Sequence, residues 1–413
     1  MADFQKKLEE YARLLVDTGL NLQPGQTLNL RSDVDCAPLA RLCTRFAYER
    51  GAKDVILDWQ DDQVKREHYL HADDALFDQV YPWIKPKWDE LHRLNAPRLV
   101  ILGSDPEALA GVDSGRILRA QRAVSPVSRP YSDAMTASRF QWCIGAYATA
   151  PWAKKVFPDL GEEEAVAALW EKIFAAVRVT GDGTATQKWQ AHTQRQKAMV
   201  DALNAHNFVS LHYKNSLGTD FTVGLPKNHY WAGGAEECTT RPGVDFVANM
   251  PTEEVFTLPH RDKADGRVYA AMPLVLNGNL VDKFWLEFRN GKIVDLHAEV
   301  GENYLRDAIA MDEGASHLGE VALVPYHSPI RDTGILFYET LFDENAACHL
   351  AFGDSYPCIR GAENKSKEEL LALGANDSDT HVDFMIGTAD LSITGLTHDG
   401  REIPVFRDGD FAL

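Results

Sequence analysis

"GQTLNLRSDVDCAPLARLCTRFAYERGAKDVILDWQDD", residues 25–62, places two strand-like runs on either side of one helix-like run. "GQTLNLRSD" reads as a strand, "DCAPLARLCTRFAYERG" as a helix that stops on Gly51, and "AKDVILDWQDD" as a second strand. A third strand, "PRLVILGSD" at 97–105, holds Val100, Ile101 and Leu102 in a row, as in a sheet covered on both faces. Buried strands alternating with helices predict an α/β N-terminal domain with an open, mostly parallel sheet.

That domain fills only half the chain. At 413 residues the sequence exceeds the size at which one hydrophobic core stops growing, so two domains are expected. Helical patterns at "GEEEAVAALWEKIFAAV" and "DGTATQKWQAHTQRQKAMVDALNAHN" (161–207) close the first half, the second of them polar enough to serve as a connector. From residue 208 the pattern changes to strands and turns: "FVSLHYKNSLGTDFTVGLP", "GRVYAAMPLVLNGNLVDKFWLEFRNGKIVDLHAEV" and "ADLSITGLTHDGREIPVF". Asn277-Gly278, Asn290-Gly291 and Asp399-Gly400 are hairpin dipeptides between alternating apolar residues. The expected organisation is therefore an α/β domain over 1–207 and a β-rich α+β domain over 208–413, the latter with a short helix at 302–314.

Composition excludes several classes. Lys and Arg number 42 against 61 Asp and Glu, a net charge of -19, and no basic cluster offers a footprint for nucleic acid. No run approaches the ~20 apolar residues of a membrane helix. The opening "MADFQKKLEEYARLLVDTG" spaces Phe4, Leu8, Tyr11 and Leu15 as an amphipathic helix and not as a secretory signal, so a cytoplasmic protein is expected. Six scattered cysteines (36, 43, 143, 238, 348 and 358) form no CxxC pair, which predicts reduced thiols. GxGxxG and GxxxxGK[ST] are absent, so a nucleotide cofactor is not supported; HExxH and GxSxG are absent too.

What remains is a concentration of carboxylates and imidazoles in apolar surroundings within the second half. "NMPTEEVFTLPH" (249–260) holds Glu253 and Glu254, whose side chains point to opposite faces in extended chain. "SHLGEVALVPYHSPI" sets Glu320 ahead of the apolar run Val321 to Val324. "LFYETLFDENAACHLAFGDSYP" embeds His349 among small and apolar residues, with Tyr356 seven positions on. "DTHVDFMIG" (379–387) puts His381 and Asp383 on one face of a strand, a spacing that suits a shared metal ion or a histidine held by its aspartate. Singly each is an ordinary feature of a turn or a core. Together they offer imidazoles and carboxylates without thiolates, the donor set of Zn²⁺, Mn²⁺, Co²⁺ or Mg²⁺, and two ions fit it better than one.

On "MPTEEVFT", "GEVALVP", "FYETLFDENAACHLAFG" and "HVDFMIG" the chain resembles the M29 family of metallo-aminopeptidases, and the resemblance runs from the opening helix to the final hairpin. It implies a two-metal site in the C-terminal domain with Glu254, Glu320, His349, Tyr356, His381 and Asp383 as ligands. It also implies a cytosolic homodimer acting on peptides with a free N-terminus. The expected reaction is hydrolysis of the first peptide bond by a metal-bridging water, with Glu253 as candidate proton shuttle and Glu320 as its alternative. Tyr356 is expected either to ligate a metal or to donate a hydrogen bond to the oxyanion. Two other readings stay open at this point: a two-metal hydrolase of a non-peptide amide or ester, and an inert metal- or peptide-binding scaffold.

Overall fold

Leu8, Tyr11 and Leu14 form the buried stripe of the opening helix, α1 (Ala2–Leu14), while Phe4 stays at its exposed edge. The computed structural model describes residues 2–276, 279–362 and 365–413. It divides into two units, Met1–Ala191 with Ala235–Pro251, and His192–Gly234 with Thr252–Leu413. The Asn277-Gly278 turn lies outside the described residues.

In the first unit the opening stretch folds as β1 (Thr27–Asp33), α2 (Ala37–Glu49) and β2 (Asp54–Gln60). Then follow α3 (Asp62–His71), α4 (Ile84–Arg93), β3 (Arg98–Leu102), α5 (Ser114–Thr136), β4 (Trp142–Ala146), α6 (Ala150–Val156) and α7 (Glu162–Ala176). The four strands make one parallel sheet in the order β2-β1-β3-β4. Leu28, Leu30, Leu99 and Ile101 are buried in its central strands, and Asp61 starts α3 by accepting the backbone N–H groups of Gln63 and Val64. None of the residues singled out for metal chemistry belongs to this unit.

The division between the units falls inside α8 (Ala185–His206), after Ala191. His192, Gln196 and Leu203 line one side of its second part and are buried. Two of those three are polar, which hides the stripe from a hydropathy reading.

Beyond α8 come β5 (Ser210–Lys214), β6 (Asp220–Gly224) and β7 (Ala232–Gly233), then a two-strand ribbon of the first unit, β8 (Glu236–Glu237) with β9 (Asp245–Phe246). The second unit resumes with β10 (Val255–Thr257), β11 (Ala264–Tyr269), β12 (Leu274–Leu276), β13 (Asn279–Arg289) and β14 (Lys292–Val300). After α9 (Glu302–Ile309) follow β15 (Leu318–Leu323), α10 (Thr340–Glu344), β16 (His349–Gly353), α11 (Lys367–Ala372), β17 (His381–Met385), β18 (Ser392–Leu396), β19 (Glu402–Arg407) and β20 (Asp410–Phe411). Two of the expected hairpins form, β13 with β14 through Asn290-Gly291 and β18 with β19 through Asp399-Gly400, and β5 pairs β6 as well.

Two sheets result, a nine-stranded one and a five-stranded one in the order β17-β16-β15-β10-β7. They share a core in which Phe384 of β17 stands 6.0 Å, ring to ring, from Phe284 of β13, joined by Leu350, Phe352, Val321 and Leu323. Side chains alternate across a strand, so burying Leu350 and Phe352 on one face commits His349 and Ala351 to the other. That other face of the five-stranded sheet carries the candidate site.

Candidate metal centre

Register brings the site residues together. Glu320 on β15 pairs with Ala351 on β16, and Ala351 pairs with Asp383 on β17. Cross-strand partners share a face, so the two carboxylates flank a methyl group in one row. His349 lies two residues before Ala351 and His381 two before Asp383, so both imidazoles join the same face. Ala322, Ala351 and Gly353 lie between them on that face and leave the donors room, with Met385 and Phe256 at its margins.

A bulge decides the direction of Glu320. Leu318 pairs with Phe352 on the core face, and simple alternation would send Glu320 the same way. The register shifts between Leu318 and Glu320, so Glu320 turns to the site instead. A side chain at the intervening Gly319 would sit 2.0 Å from the Asp354 carbonyl oxygen. Glu320 is the third residue of β15, a strand buried along its whole length.

Donor atoms converge in two groups that share Glu320. In each of Glu254–Glu320–His349 and Glu320–His381–Asp383, one ligand atom per residue lies within 4.8 Å of the others. Nε2 of His349 is 3.2 Å from Oε2 of Glu254 and 3.7 Å from Oε1 of Glu320. Nε2 of His381 is 3.4 Å from the other Glu320 oxygen and 3.3 Å from Oδ1 of Asp383. One carboxylate therefore faces both histidines, one oxygen to each.

The outer nitrogens fix the tautomers. Nδ1 of His349 donates to the Ala347 carbonyl at 3.1 Å, and Nδ1 of His381 donates to the Asp354 carbonyl at 2.8 Å. A carbonyl only accepts, so in the neutral ring each Nε2 presents a lone pair toward carboxylate oxygens. Lone pairs facing anions call for a cation between them. Among the described residues, every ion-pair partner of Glu254, Glu320 and Asp383 is a histidine.

The titration behaviour expresses the same demand. Burial disfavours a charged imidazole at His349, but hydrogen bonds with Glu254 and Glu320 outweigh it and hold the ring well above the usual histidine range. Burial opposes charge at His381 too, and the Asp383 carboxylate with Glu320 overrides it. Burial likewise opposes ionisation of Glu320, yet the two histidines bring its carboxyl down to about 2. Glu254 goes the other way, raised by burial against the pull of His349. Divalent cations would supply the positive charge that the imidazoles supply here, and hard carboxylate oxygens with borderline imidazole nitrogens fit them.

The remaining predicted residues stand outside these groups. Tyr356 follows β16 at the rim, 38% exposed, its ring 6.0 Å from the His381 ring and edge-on to it. Glu253 is buried, but its Oε2 lies 3.7 Å from Nε2 of His192, whereas Glu254 turns to His349. The neighbours part company as extended chain dictates. Their backbone is clamped from α8: His192 Nε2 donates to the Thr252 carbonyl at 2.7 Å, and Gln196 Nε2 to the Glu254 carbonyl at 3.2 Å.

Two residues at the site were not singled out in the sequence, Glu344 and Asn345. Asn345 is fully buried; its Oδ1 accepts the N–H of Glu253 at 2.8 Å, and its Nδ2 donates to the Leu341 carbonyl at 2.9 Å and to Glu344 Oε1 at 3.3 Å. Burial, then the charges of Asp383 and Glu254, push the Glu344 carboxyl well above the usual range. The signal available was an acidic helix end five residues before His349, which by itself describes any solvated turn.

Comparison with known proteins gives a consistent result. Residues 4–411 match the family model described as thermophilic metalloprotease (M29). The chain is 44% identical to aminopeptidase AmpS of Bacillus subtilis (strain 168) and 40% identical to aminopeptidase T of Thermus aquaticus, with all of both chains covered in each case. The solved structure of wild-type AmpT from Thermus thermophilus superposes with a TM-score of 0.91 at 39% identity, covering 99% of this chain and 100% of that one.

Proposed function

The chain belongs to the thermophilic metalloprotease (M29) family, and on that footing we propose that this metal-dependent aminopeptidase works with two divalent ions. One position is built from Glu254, His349 and one oxygen of Glu320; the other from His381, Asp383 and the second oxygen of Glu320. The observation that carries the reading is the pair of Nδ1–H bonds to backbone carbonyls, which turn both Nε2 atoms toward a shared carboxylate.

When bound, such ions polarise a scissile carbonyl and make water nucleophilic near neutral pH. The protein's own part is placement. Glu320 spans the two positions from a strand whose bulge aims it. Glu253, buried and outside both ligand groups, is assigned the proton that passes from water to the leaving amine. Tyr356, half-exposed beside His381, is assigned a hydrogen bond to the developing oxyanion or a place as a further ligand. The substrate is a peptide with a free N-terminus, and the fitting ions are Zn²⁺, Co²⁺, Mn²⁺ and Mg²⁺. A cytoplasmic homodimer completes the proposal, on the family resemblance alone.

The test is hydrolysis of matched free and N-acetylated dipeptides, before and after chelation and with each of the four metals restored. Cleavage of free-amine peptides alone, abolished by chelation and recovered with metal, is the expected result. Equal cleavage of acetylated peptides, or activity indifferent to chelation, overturns the reading.

A further inference from the structure

Glu344 is a carboxylate the ligand groups leave unused. It closes α10, which packs on β17, the strand of His381 and Asp383. Its side chain lies in the field of Asp383, Glu254, His349 and Glu320, and it is partly accessible while most of its neighbours are buried. Its orientation is set from within the protein. The buried Asn345 amide holds Glu344 Oε1 with the same Nδ2 that bonds Leu341, and its Oδ1 holds the N–H of Glu253, one residue ahead of Glu254. One side chain thus ties this carboxylate to the backbone that carries the first ligand.

The charge balance gives the carboxylate a purpose. Two divalent ions among three ligand carboxylates leave a formal excess of positive charge, which repels an approaching α-ammonium group. Divalent ions beside it would offset the Asp383 and Glu254 charges that raise the Glu344 carboxyl and favour its ionised form, a further anion that removes the penalty. A charge-assisted hydrogen bond from ammonium to carboxylate is among the stronger polar contacts. We propose that Glu344, positioned by Asn345, receives the α-ammonium of the substrate and so restricts the site to peptides with a free N-terminus. The assignment rests on the aminopeptidase reading and deepens it.

The experiment compares the metal-loaded protein with Glu344→Gln and Glu344→Asp. Metal content is measured by mass spectrometry. Turnover is measured on L-leucyl-p-nitroanilide and on its des-amino counterpart, 4-methylpentanoyl-p-nitroanilide. Binding of L-leucine and of 4-methylpentanoate is measured by calorimetry. Glu344→Gln is expected to keep its metal, to raise KM for the amine substrate and weaken L-leucine binding ~10- to 100-fold, and to leave 4-methylpentanoate binding unchanged. Glu344→Asp, which retains the charge on a shorter arm, falls between the two and carries the test if the glutamine variant does not fold. Unchanged KM and L-leucine affinity overturn the assignment. So does a fall in kcat with selectivity intact, which makes Glu344 a proton carrier, or loss of metal, which makes it a ligand. Should the parent protein cleave neither substrate, the aminopeptidase reading fails, and the calorimetric arm still decides whether Glu344 selects an ammonium group.

Discussion

Oε2 of Glu320 stands 3.4 Å from Nε2 of His381, and its other oxygen reaches toward His349. In the two-ion centre proposed above, a carboxylate so placed serves both positions, whereas Asp383 serves one. Asp383→Asn is therefore expected to lower bound metal from two ions to one per chain, and Glu320→Gln to lower it further. Metal counted after dialysis checks this. A Glu320→Gln protein that still holds one ion as tightly as Asp383→Asn argues against the bridge.

Glu253 has a buried carboxylate outside both ligand groups. Glu253→Gln is expected to reduce kcat by ~10² to 10⁴ while metal content stays at the parental level. Near-normal kcat would reassign the proton transfer, with Glu320 next in line.

Tyr356 is exposed enough that removing its hydroxyl leaves the core intact. Tyr356→Phe is expected to lose roughly 10²-fold in kcat, as when an oxyanion donor is removed, with full metal occupancy. Occupancy falling along with turnover would identify the phenol as a ligand.

Asp343 accepts the N–H of Phe337 at 2.8 Å and that of Glu339 at 3.2 Å, yet burial outweighs these bonds and pushes its carboxyl up to about 7. Between pH ~4 and ~7 the unfolded chain has released this proton and the folded chain retains it, so stability falls as pH rises through that window and levels off above it. The full span corresponds to about 4 kcal/mol. Asp343→Asn removes the titration, so its stability relative to the parent should rise between pH 5 and 7.5, read as urea midpoints. An equal difference at both pH values would show that Asp343 does not titrate there.

The parts of the molecule that follow a local period were legible. His381 and Asp383 could be placed on one face because strand alternation needs no tertiary information, and the run "GQTLNLRSD" to "AKDVILDWQDD" folds as the strand, helix and strand it reads as. The parallel sheet with helices and the strand-rich second half follow from the same kind of pattern. Where tertiary context decides, the pattern is silent. α5 is a 23-residue helix with Pro126 and Pro130 inside it, a composition that reads as a break. The outward turn of Glu320 depends on a bulge at a glycine that resembles any other glycine. Glu344 and Asn345 sit at the end of a five-residue helix, too short to carry a period, and their importance comes from what β17 and the Glu253 backbone bring beside them.

The row Glu320, Ala351, Asp383 crosses three adjacent strands, so the backbone positions of its two outer residues stand two of the ~4.8 Å strand spacings apart, and their side chains converge from there. The sheet acts as a ruler for the site. Its graduations are backbone hydrogen bonds, which stretch little with temperature before they part altogether. Warming that loosens the rim around Tyr356 leaves the ruler its length, and the geometry of the metal centre should persist as long as the strands remain joined.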